Sequence, residues 1–394
     1  MQPQAGMTAS QVQAYNTYAR NLCVGKGLRM NQPIFSATFD TTVNNIVTLP
    51  PRYVGLILGF IVGINGTLTV AAETAPTLTQ LATLNLLQTC VLTDLNNQQR
   101  INTTGWHLGL INSARQGYVF GGSYAPNVPP NFGNNWTVQS APAAPEPGNI
   151  TVQQLYYVPV SYSLTDLRGA IYAAVNNATM TLSLTIIPNA QICATDTSDP
   201  TLTVYQSNTG SSAAVQWAAG ASCTVTVQQL YLDQLPRDPN SGNPILPILD
   251  LNNIYELKNI TTNSVISANQ DFPVPYSNYR QFLSTTVIFD NGGVLNTGSD
   301  VNYWKIQSAN FTNITQVSPT IAALMQRQVF MADPPDGVYY FDSRSSPINT
   351  ANYGNMELVL NAATGTVNSG AVLMIGYEDF AQVNQLVGAT SLPG

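Results

Sequence analysis

Short runs of apolar or alternating residues recur along most of the chain, and turn residues separate them. β-branched and aromatic residues are common within the runs, while Gly, Pro and Asn are common between them, a pattern typical of short strands joined by turns. Asn291-Gly292-Gly293 is one such predicted turn. The pattern predicts an all-β chain, a sandwich or a barrel, with few helices. The predicted strands lie at 46–49, 155–160, 180–187, 202–205, 223–232, 282–289, 338–341, 356–360 and 371–377.

The uncharged segment 54–72 allows two interpretations. It is long enough to span a bilayer as a helix. Threonines alternate with apolar residues at 67–70, however, and glycines recur throughout the segment. We therefore predict a buried strand, a hairpin turn at Asn65-Gly66 and a second strand, with a transmembrane helix as the alternative.

Two segments have helical patterns. Near the start of the chain, Thr8 and Gln11 have the spacing of a capping box, and apolar residues recur every three to four positions after them. This spacing predicts an amphipathic N-terminal helix. A second helix is predicted at 319–331, where Ser318 can cap the first turn and Pro319 suits the first helical position.

The domain organisation follows from length and from a break in composition. A chain of 394 residues fits two domains, and the Pro- and Asn-rich segment 234–247 is a plausible linker between them. Long irregular stretches at 117–149 and 194–222 are predicted to be contact-making surface loops. We predict a helical arm at 1–29, a first β domain with these loops at 30–240, a second β domain at 241–384 and a C-terminal tail at 385–394.

Charged residues are scarce. They make up 8% of the chain, with 13 Lys and Arg against 20 Asp and Glu and a net charge of -7, where about 25% is usual. No cluster of cations is present, so direct binding of nucleic acid is disfavoured. Low charge suits a subunit that buries its surface against identical copies, because an unpaired buried charge is costly. With so few titratable groups, we also expect stability to change little at mildly acidic pH.

The N-terminal arm is an exception to the acidic balance. Residues 1–29 contain Arg20, Lys26 and Arg29 and no acid. Two interpretations remain open at this point. The arm packs on a neighbouring subunit, or its cations face an anionic surface such as lipid.

The residues that carry most enzyme chemistry are rare or isolated. His107 is the single histidine, and no triad or zinc motif surrounds it, so we predict a structural role for it. Cys23, Cys90, Cys193 and Cys223 lie far apart, which favours buried free thiols in a reducing compartment over a metal site. We expect no catalytic, metal-binding or cofactor-binding residues.

Two other classes of protein fit parts of the pattern. A glycoside hydrolase would need two carboxylates in one cleft, and Asp333, Asp336, Glu357 and Glu378 are the candidates, although no pair is favoured. Asp333 and Asp336 flank a Pro-Pro sequence that is typical of a turn. A secreted or surface carbohydrate-binding or adhesin module is the second alternative, but we find no secretory signal at the start of the chain.

Several segments, in order along the chain, resemble the major capsid protein of tectiviruses, which are tailless double-stranded DNA bacteriophages with an internal membrane. They include Thr-Gly-Trp-His-Leu from residue 104, Tyr-Leu-Asp-Gln-Leu-Pro from residue 231 and Ser-Thr-Thr-Val-Ile-Phe-Asp-Asn-Gly-Gly from residue 284. The matching segments are 104–108, 112–117, 231–236, 245–251, 284–293, 296–303, 309–311, 337–340 and 376–378.

The resemblance implies a structural protein and not an enzyme. It implies two eight-stranded jelly-roll domains side by side, with a short N-terminal helix and few additional helices. Three chains would form a pseudo-hexagonal homotrimer that tiles an icosahedral shell in the virion, after synthesis in the host bacterial cytoplasm. Its partners would be neighbouring trimers and vertex and minor capsid proteins. The arm would lie towards the internal membrane, with Arg20, Lys26 and Arg29 facing it.

Overall fold

The computed structural model describes residues 7–72, 75–116, 139–141, 144–174, 179–195, 202–262, 266–295, 300–308, 311–330, 337–353, 355–363, 367–368 and 370–381. Its helices are α1 (Ala9–Lys26), α2 (Gly105–Gln116), α3 (Ile248–Leu251), α4 (Pro319–Phe330) and α5 (Thr350–Tyr353). Short 3-10 helices lie at Ala82–Leu86, Asn189–Gln191 and Ser212–Ala214.

Strands account for most of the regular structure. Those of the first half are β1 (Leu28–Phe39), β2 (Ile46–Leu49), β3 (Leu56–Val70), β4 (Thr77–Leu78), β5 (Leu87–Thr93), β6 (Gln99–Thr103), β7 (Gln139–Ser140), β8 (Gly148–Pro159), β9 (Ile171–Tyr172), β10 (Thr181–Ile186), β11 (Cys193–Ala194), β12 (Tyr205–Gln206), β13 (Val215–Trp217) and β14 (Cys223–Asp233). Those of the second half are β15 (Ile254–Thr261), β16 (Asp271–Pro275), β17 (Arg280–Asp290), β18 (Val301–Ser308), β19 (Phe311–Val317), β20 (Val338–Asp342), β21 (Ile348–Asn349), β22 (Met356–Ala362) and β23 (Val372–Ala381).

The first half of the chain forms a sandwich of two antiparallel layers. One layer has the order β1-β14-β3-β8, with β7 beyond β8, and β9 and β13 paired to β3. The other has the order β2-β10-β5-β6. Alternate residues of both layers are apolar and meet in one core, where Phe60 and Val227 of the first layer and Leu92 and Leu184 of the second are fully buried.

The second half repeats this topology. Its layers have the orders β15-β23-β17-β20 and β16-β22-β18-β19, and Trp304, Phe289 and Leu358 are buried in its core. In both halves the eight main strands pass between the two layers in the same sequence, which is that of a jelly roll. One helix, α2 or α4, follows the fifth strand of each roll. The expected pair of eight-stranded jelly rolls is confirmed.

One sheet runs through both jelly rolls. The layer β2-β10-β5-β6 continues into β15-β23-β17-β20 because β6 and β15 pair in parallel, with Ile101 opposite Leu257 and Asn102 opposite Lys258. The outer face of the second roll's part of this shared sheet packs on the first roll. Met374, Phe380 and Leu257 therefore belong to the core cluster of the first roll.

Both predicted helices are confirmed. Helix α1 begins after Thr8, whose side chain accepts the amide of Gln11 while the Gln11 side chain accepts the amide of Thr8, a complete capping box. Helix α4 begins at Pro319 as expected. The turn at 291–293 is also confirmed, since the Asn291 amide donates to the Val294 carbonyl and both glycines have positive φ.

The predicted hairpin at Asn65-Gly66 is wrong. β3 is one continuous strand that pairs with β14 on one side and β8 on the other through this dipeptide. Gly66 is needed for close packing, because a Cβ atom there would lie 2.3 Å from the Trp217 ring. Neighbouring strands supply the partners for its backbone, and this overrides the local preference for a turn. No helix among the described residues is long and apolar enough to span a membrane.

Other predicted segments differ from the structure or lie outside the described residues. The predicted strand at 202–205 is reduced to the two-residue β12. Of the two predicted long loops, 117–138 and 196–201 lie outside the described residues, as does the predicted tail at 385–394.

Candidate functional site

The N-terminal arm is docked onto the start of the second half of the chain. Asn16 is buried on α1; its Nδ2 donates to Asp250 Oδ1 (2.9 Å) and its Oδ1 accepts the Leu249 amide (2.9 Å). Two turns on, Cys23 is buried and its thiol donates to the Ile245 carbonyl (3.2 Å). One face of α1 is therefore fixed by hydrogen bonds as well as by apolar packing.

Arg20 is part of this attachment. Its Nε and Nη2 donate to the two oxygens of Asp250 at 2.5 and 2.6 Å, and the Asp250 side chain is almost fully buried. The hydrogen bond to Asp250 raises the pKa of the Arg20 guanidinium. A two-pronged pair of this kind fixes orientation as well as charge.

Lys26 and Arg29 differ from Arg20. Both are exposed, Lys26 in the last turn of α1 and Arg29 in the first residues of β1. Arg29 donates to the Leu164 carbonyl (3.1 Å). Within the described part of the chain, neither cation lies within 4.0 Å of a carboxylate oxygen. Their charges therefore face solvent at the end of the arm.

His107 lies in the first turn of α2, at the junction of the two rolls. The Thr103 hydroxyl donates to Asn259 Oδ1 (2.5 Å), so it accepts from His107 Nδ1 (2.7 Å). His107 Nε2 is buried without a hydrogen-bond partner and faces Gly376, where a Cβ atom would lie 2.5 Å from it. Burial lowers the pKa of His107 to about 4, so the imidazole is neutral. The predicted structural role agrees with this position.

Arg115, in the last turn of α2, joins the rolls through a buried ion pair. Its Nη2 lies 2.6 Å from Glu378 Oε1, and its Nη1 donates to the Tyr162 carbonyl (2.6 Å). The Ser284 hydroxyl donates to Glu378 Oε2 (2.7 Å). Burial raises the pKa of Glu378, but the charge of Arg115 and these hydrogen bonds outweigh it, so the pKa lies below its usual value. Tyr255 donates to the same carboxylate (3.1 Å).

A second ion cluster lies on the same sheet. Arg280 bridges the carboxylates of Glu256 and Asp379, with Nη1 2.7 Å from Asp379 Oδ1. Lys258 adds a second cation, 2.7 Å from Glu256 Oε2, and Gln98 of the first roll donates to Glu256 Oε1 (3.1 Å). Burial raises the pKa of Asp379 to about 6, although Arg280 opposes this. The cluster ties a loop of the first roll to the second.

Of the candidate carboxylates of a glycosidase, the two that the structure describes, Glu357 and Glu378, lie in different layers. Glu357 lies on β22 and accepts from Gln307 (2.8 Å), whereas Glu378 lies on β23 in the other layer and is held by Arg115. Asp333 and Asp336 lie outside the described residues. Among the residues that are described, no group of three or more metal-ligating side chains is present.

The four cysteines are free and buried. Burial raises the pKa of the Cys23 and Cys193 thiols to about 11, and that of the Cys90 and Cys223 thiols to about 12. Thiols of such high pKa carry almost no thiolate at neutral pH and are poor nucleophiles. They act as small apolar side chains of the core.

Two jelly rolls that share one sheet, with a docked helical arm, place the chain in the class of double jelly-roll proteins. The fold is similar to the STIV MCP, with a TM-score of 0.63 and 13% identity over 93% of this chain and 100% of that one. It is also similar to PBCV-1 VP54, with a TM-score of 0.54 and 14% identity over 90% and 93% of the two chains.

Sequence comparison identifies the family. Residues 4–235 match the model of the P3 major capsid protein N-terminal domain, and residues 252–393 match that of its C-terminal domain. The major capsid protein P3 of Enterobacteria phage PRD1 is 35% identical over 99% of this chain and 96% of that relative. The chain belongs to the P3 major capsid protein family. It is a structural protein of the virion capsid, and the resemblance to tectivirus coat proteins is confirmed. The adhesin alternative receives no support.

The buried ion pairs of the junction were not identified from the sequence. Their members are isolated charges in a chain with few charges, and a partner such as Glu378 lies 263 residues from Arg115. One signal was present: Glu378 and Asp379 directly follow the predicted apolar strand at 371–377 and are followed by the apolar Phe380 and Ala381. Charges that continue a buried strand require buried partners of opposite sign.

Proposed function

We propose that the chain assembles into homotrimers of pseudo-hexagonal outline that tile an icosahedral shell. The main support for this trimer is the repeat within one chain, in which two rolls of the same topology lie side by side and share a sheet. Three copies would supply six similar rolls, and closed rings are the usual outcome of a repeated head-to-tail contact. Neighbouring trimers, vertex proteins and minor capsid proteins would be its partners in the shell.

The native mass of the purified protein tests this proposal directly. We expect three times 42.3 kDa to persist on dilution below micromolar concentration, because large obligate interfaces survive dilution. A monomer at these concentrations would contradict the proposal.

We further propose that the arm faces an internal membrane. Arg20, Lys26 and Arg29 were the candidate cations, and the pairing of Arg20 with Asp250 leaves Lys26 and Arg29 as the groups for direct contact with lipid phosphate. Two cations alone give weak attraction, about 1 kcal/mol each. Many copies on one shell would add these contacts together.

Binding of unassembled trimers to vesicles tests the membrane contact, because the inner face of a closed shell is not accessible to added vesicles. Trimers carrying Lys26→Glu and Arg29→Glu should lose binding to phosphatidylglycerol vesicles, with no change for phosphatidylcholine. Arg237→Glu is the matched control, since Arg237 is an exposed cation outside the arm. Equal binding by the arm variant and wild type would refute the contact. Deletion of residues 1–29 should leave trimers intact while impairing coat assembly around membrane.

We also infer a division into arm 1–29, first roll 30–240, second roll 241–384 and tail 385–394. It is supported by the gap between the two family matches, which end at 235 and begin at 252, because this gap contains most of the predicted linker. Synthesis in a reducing bacterial cytoplasm is supported by the four free thiols. Limited proteolysis that cuts first within 234–247 would support the division, and early cuts elsewhere in the described strands would contradict it.

A further inference from the structure

A cavity of about 340 Å³ lies at the junction of the two rolls. Its wall is formed by the last turns of α2, the end of β8 with the segment after it, and the segment that follows β20. β8 ends beside the start of β3, β3 begins beside the end of β14, and β14 ends beside the start of β1. Since β1 follows α1, the cavity lies at the arm end of the molecule. Its volume is at the lower end of the range for small-ligand sites, about 300–1,000 Å³.

We propose that this cavity binds a glycerophosphate group, which is the headgroup chemistry of an anionic phospholipid such as phosphatidylglycerol and also occurs in soluble phosphate esters. The lipid source rests on the membrane contact proposed above, whereas the binding of the group itself does not.

Two guanidinium groups lie in the wall of the cavity. Arg115 and Arg344 keep 12% and 17% of their side-chain surfaces exposed. Their partners, Glu378 and Asp342, are not among the lining residues, and no other carboxylate is. An anion in the cavity would therefore contact cations without contacting a carboxylate.

The two arginines have unused hydrogen-bond donors. Arg344 donates from Nε and Nη2 to Asp342 and from Nη2 to the Ala114 carbonyl, so both N–H groups of its Nη1 have no partner among the described residues. Arg115 Nη1 donates once, to the Tyr162 carbonyl (2.6 Å), and has a second N–H. The used donors hold the side chains in place. The unused ones can bind phosphate oxygens in charge-assisted hydrogen bonds.

A third cation lies at the rim of the cavity. Arg29 Nη2 donates to the carbonyl of Leu164 (3.1 Å), a lining residue. Burial raises the pKa of Tyr157, another lining residue, to about 12, and the charges of Arg115 and Arg29 oppose this rise. Arg115 and Arg344 each have a carboxylate partner, but Arg29 has none among the described residues. A bound anion would balance this surplus charge.

The remaining polar side chains of the wall are uncharged, and one of them needs a donor. Asn112 Nδ2 donates to the Tyr157 carbonyl (2.8 Å), but its Oδ1 is buried without a hydrogen-bond partner among the described residues. A buried acceptor of this kind favours a ligand that carries a donor. The phosphodiester of a lipid has no proton to donate, and choline has no N–H or O–H group. An ammonium group would be repelled by the arginines, whereas the hydroxyls of glycerol are neutral donors.

Calorimetric titration of the purified protein with sn-glycerol 1-phosphate tests the site. Arg344→Gln should weaken binding about tenfold or more, because charge-assisted hydrogen bonds are lost. Arg29→Gln should weaken it less, and this exposed position makes it a second variant that leaves the core intact. Arg168→Gln is the matched control and should bind as wild type does. Arg168 pairs with Asp166 (2.7 Å) as Arg344 pairs with Asp342 (2.6 Å), but it is not a lining residue.

Methyl phosphate tests the role of the hydroxyls, since it has the same phosphate and no glycerol. It should bind about fivefold more weakly than glycerol phosphate. Circular dichroism that matches wild type checks the folding of each variant. Absence of saturable binding, equal affinity in wild type and Arg344→Gln, or equal affinity for the two esters would overturn the proposal.

Vesicles distinguish the two sources of the group. Phosphatidylglycerol and phosphatidylserine carry the same net charge, so a preference of unassembled wild-type protein for phosphatidylglycerol that is lost in Arg344→Gln would assign the cavity to lipid. Equal binding of both vesicles, with glycerol phosphate still bound, would assign it to a soluble ester. Vesicle binding that survives Lys26→Glu with Arg29→Glu would refute the proposed contact of the arm, a result separate from the titration with the soluble ester.

Discussion

His107 gives the sharpest quantitative prediction. Its pKa is about 4 in the folded chain, against 6.5 for an unperturbed histidine, because the imidazole is buried. A proton on Nε2 would also find no hydrogen-bond acceptor there. Between pH 6.5 and about 4 the unfolded chain therefore binds a proton that the folded chain does not. The free energy of unfolding falls as pH is lowered through this window, by about 3 kcal/mol from this residue alone.

The protonation of Asp379 changes the free energy of unfolding in the opposite direction. Burial raises its pKa to about 6, above the usual 3.8, so the folded chain takes up a proton first as pH falls. Its contribution to stability therefore increases between pH 6 and about 4. The two contributions oppose each other over nearly the same range. We expect the wild-type stability to be nearly flat there, through cancellation as well as through the small number of titratable groups.

The His107→Gln variant separates the two effects. It keeps a hydrogen-bonding side chain but removes the titration. Denaturant unfolding at one protein concentration and several pH values from 7.5 to 4.5 gives the difference in unfolding free energy between variant and wild type. This difference should change in favour of the variant by about 2.5 kcal/mol as pH falls from 7.5 to 4.5, while Asp379→Asn should show the opposite slope. A difference that stays constant with pH for His107→Gln would refute the reasoning.

Three further outcomes are expected. Gly376→Ala should lower the melting temperature strongly, because the new Cβ atom would lie 2.3–2.6 Å from the His107 ring; His107→Ala should restore part of the loss. Glu378→Gln should cost about 3–5 kcal/mol in denaturant unfolding, because the buried Arg115 loses its counter-charge. Asp250→Asn should speed proteolytic removal of the arm about tenfold, a loss of roughly 1.4 kcal/mol in docking.

Controls accompany these outcomes. Ser284→Ala removes only one hydrogen bond to Glu378 and should cost less than Glu378→Gln; equal costs would mean that Arg115 is not the dominant partner. An unchanged rate of arm cleavage in Asp250→Asn would mean that apolar packing alone holds α1. A Gly376→Ala variant with wild-type stability would show that the sheet can move away from α2.

Local signals predicted some elements well and failed at others for a physical reason. The capping residue Thr8 and the proline at 319 act within one helical turn, so both helices could be predicted from neighbouring residues. Gly66 lies inside a strand because β3 pairs with β14 and β8 on its two sides, and Trp217, about 150 positions away, requires a glycine there. No local pattern contains these contacts. The order of strands in a jelly roll is likewise non-local, and it came from the resemblance to a known family rather than from periodicity.

The candidate site was predicted in part. The arm cations were identified because three of them occur without an acid, but the docking of Arg20 on Asp250 joins positions 230 apart. Counting charges along the sequence identifies segments with an excess of one sign, but it does not identify the ion-pair partner of each charge. A structural role was predicted for His107 because no triad or zinc motif surrounds it, and its burial agrees with that role.

The sheet shared by the two rolls has a mechanical consequence. Bending one roll against the other would break the backbone ladder between β6 and β15 and separate Arg115 from Glu378 inside the core. The two rolls therefore behave as a single stiff plate. A closed shell made from such plates must obtain its curvature at the seams between chains, and the angle between the rolls of one chain stays the same wherever the chain sits in the shell.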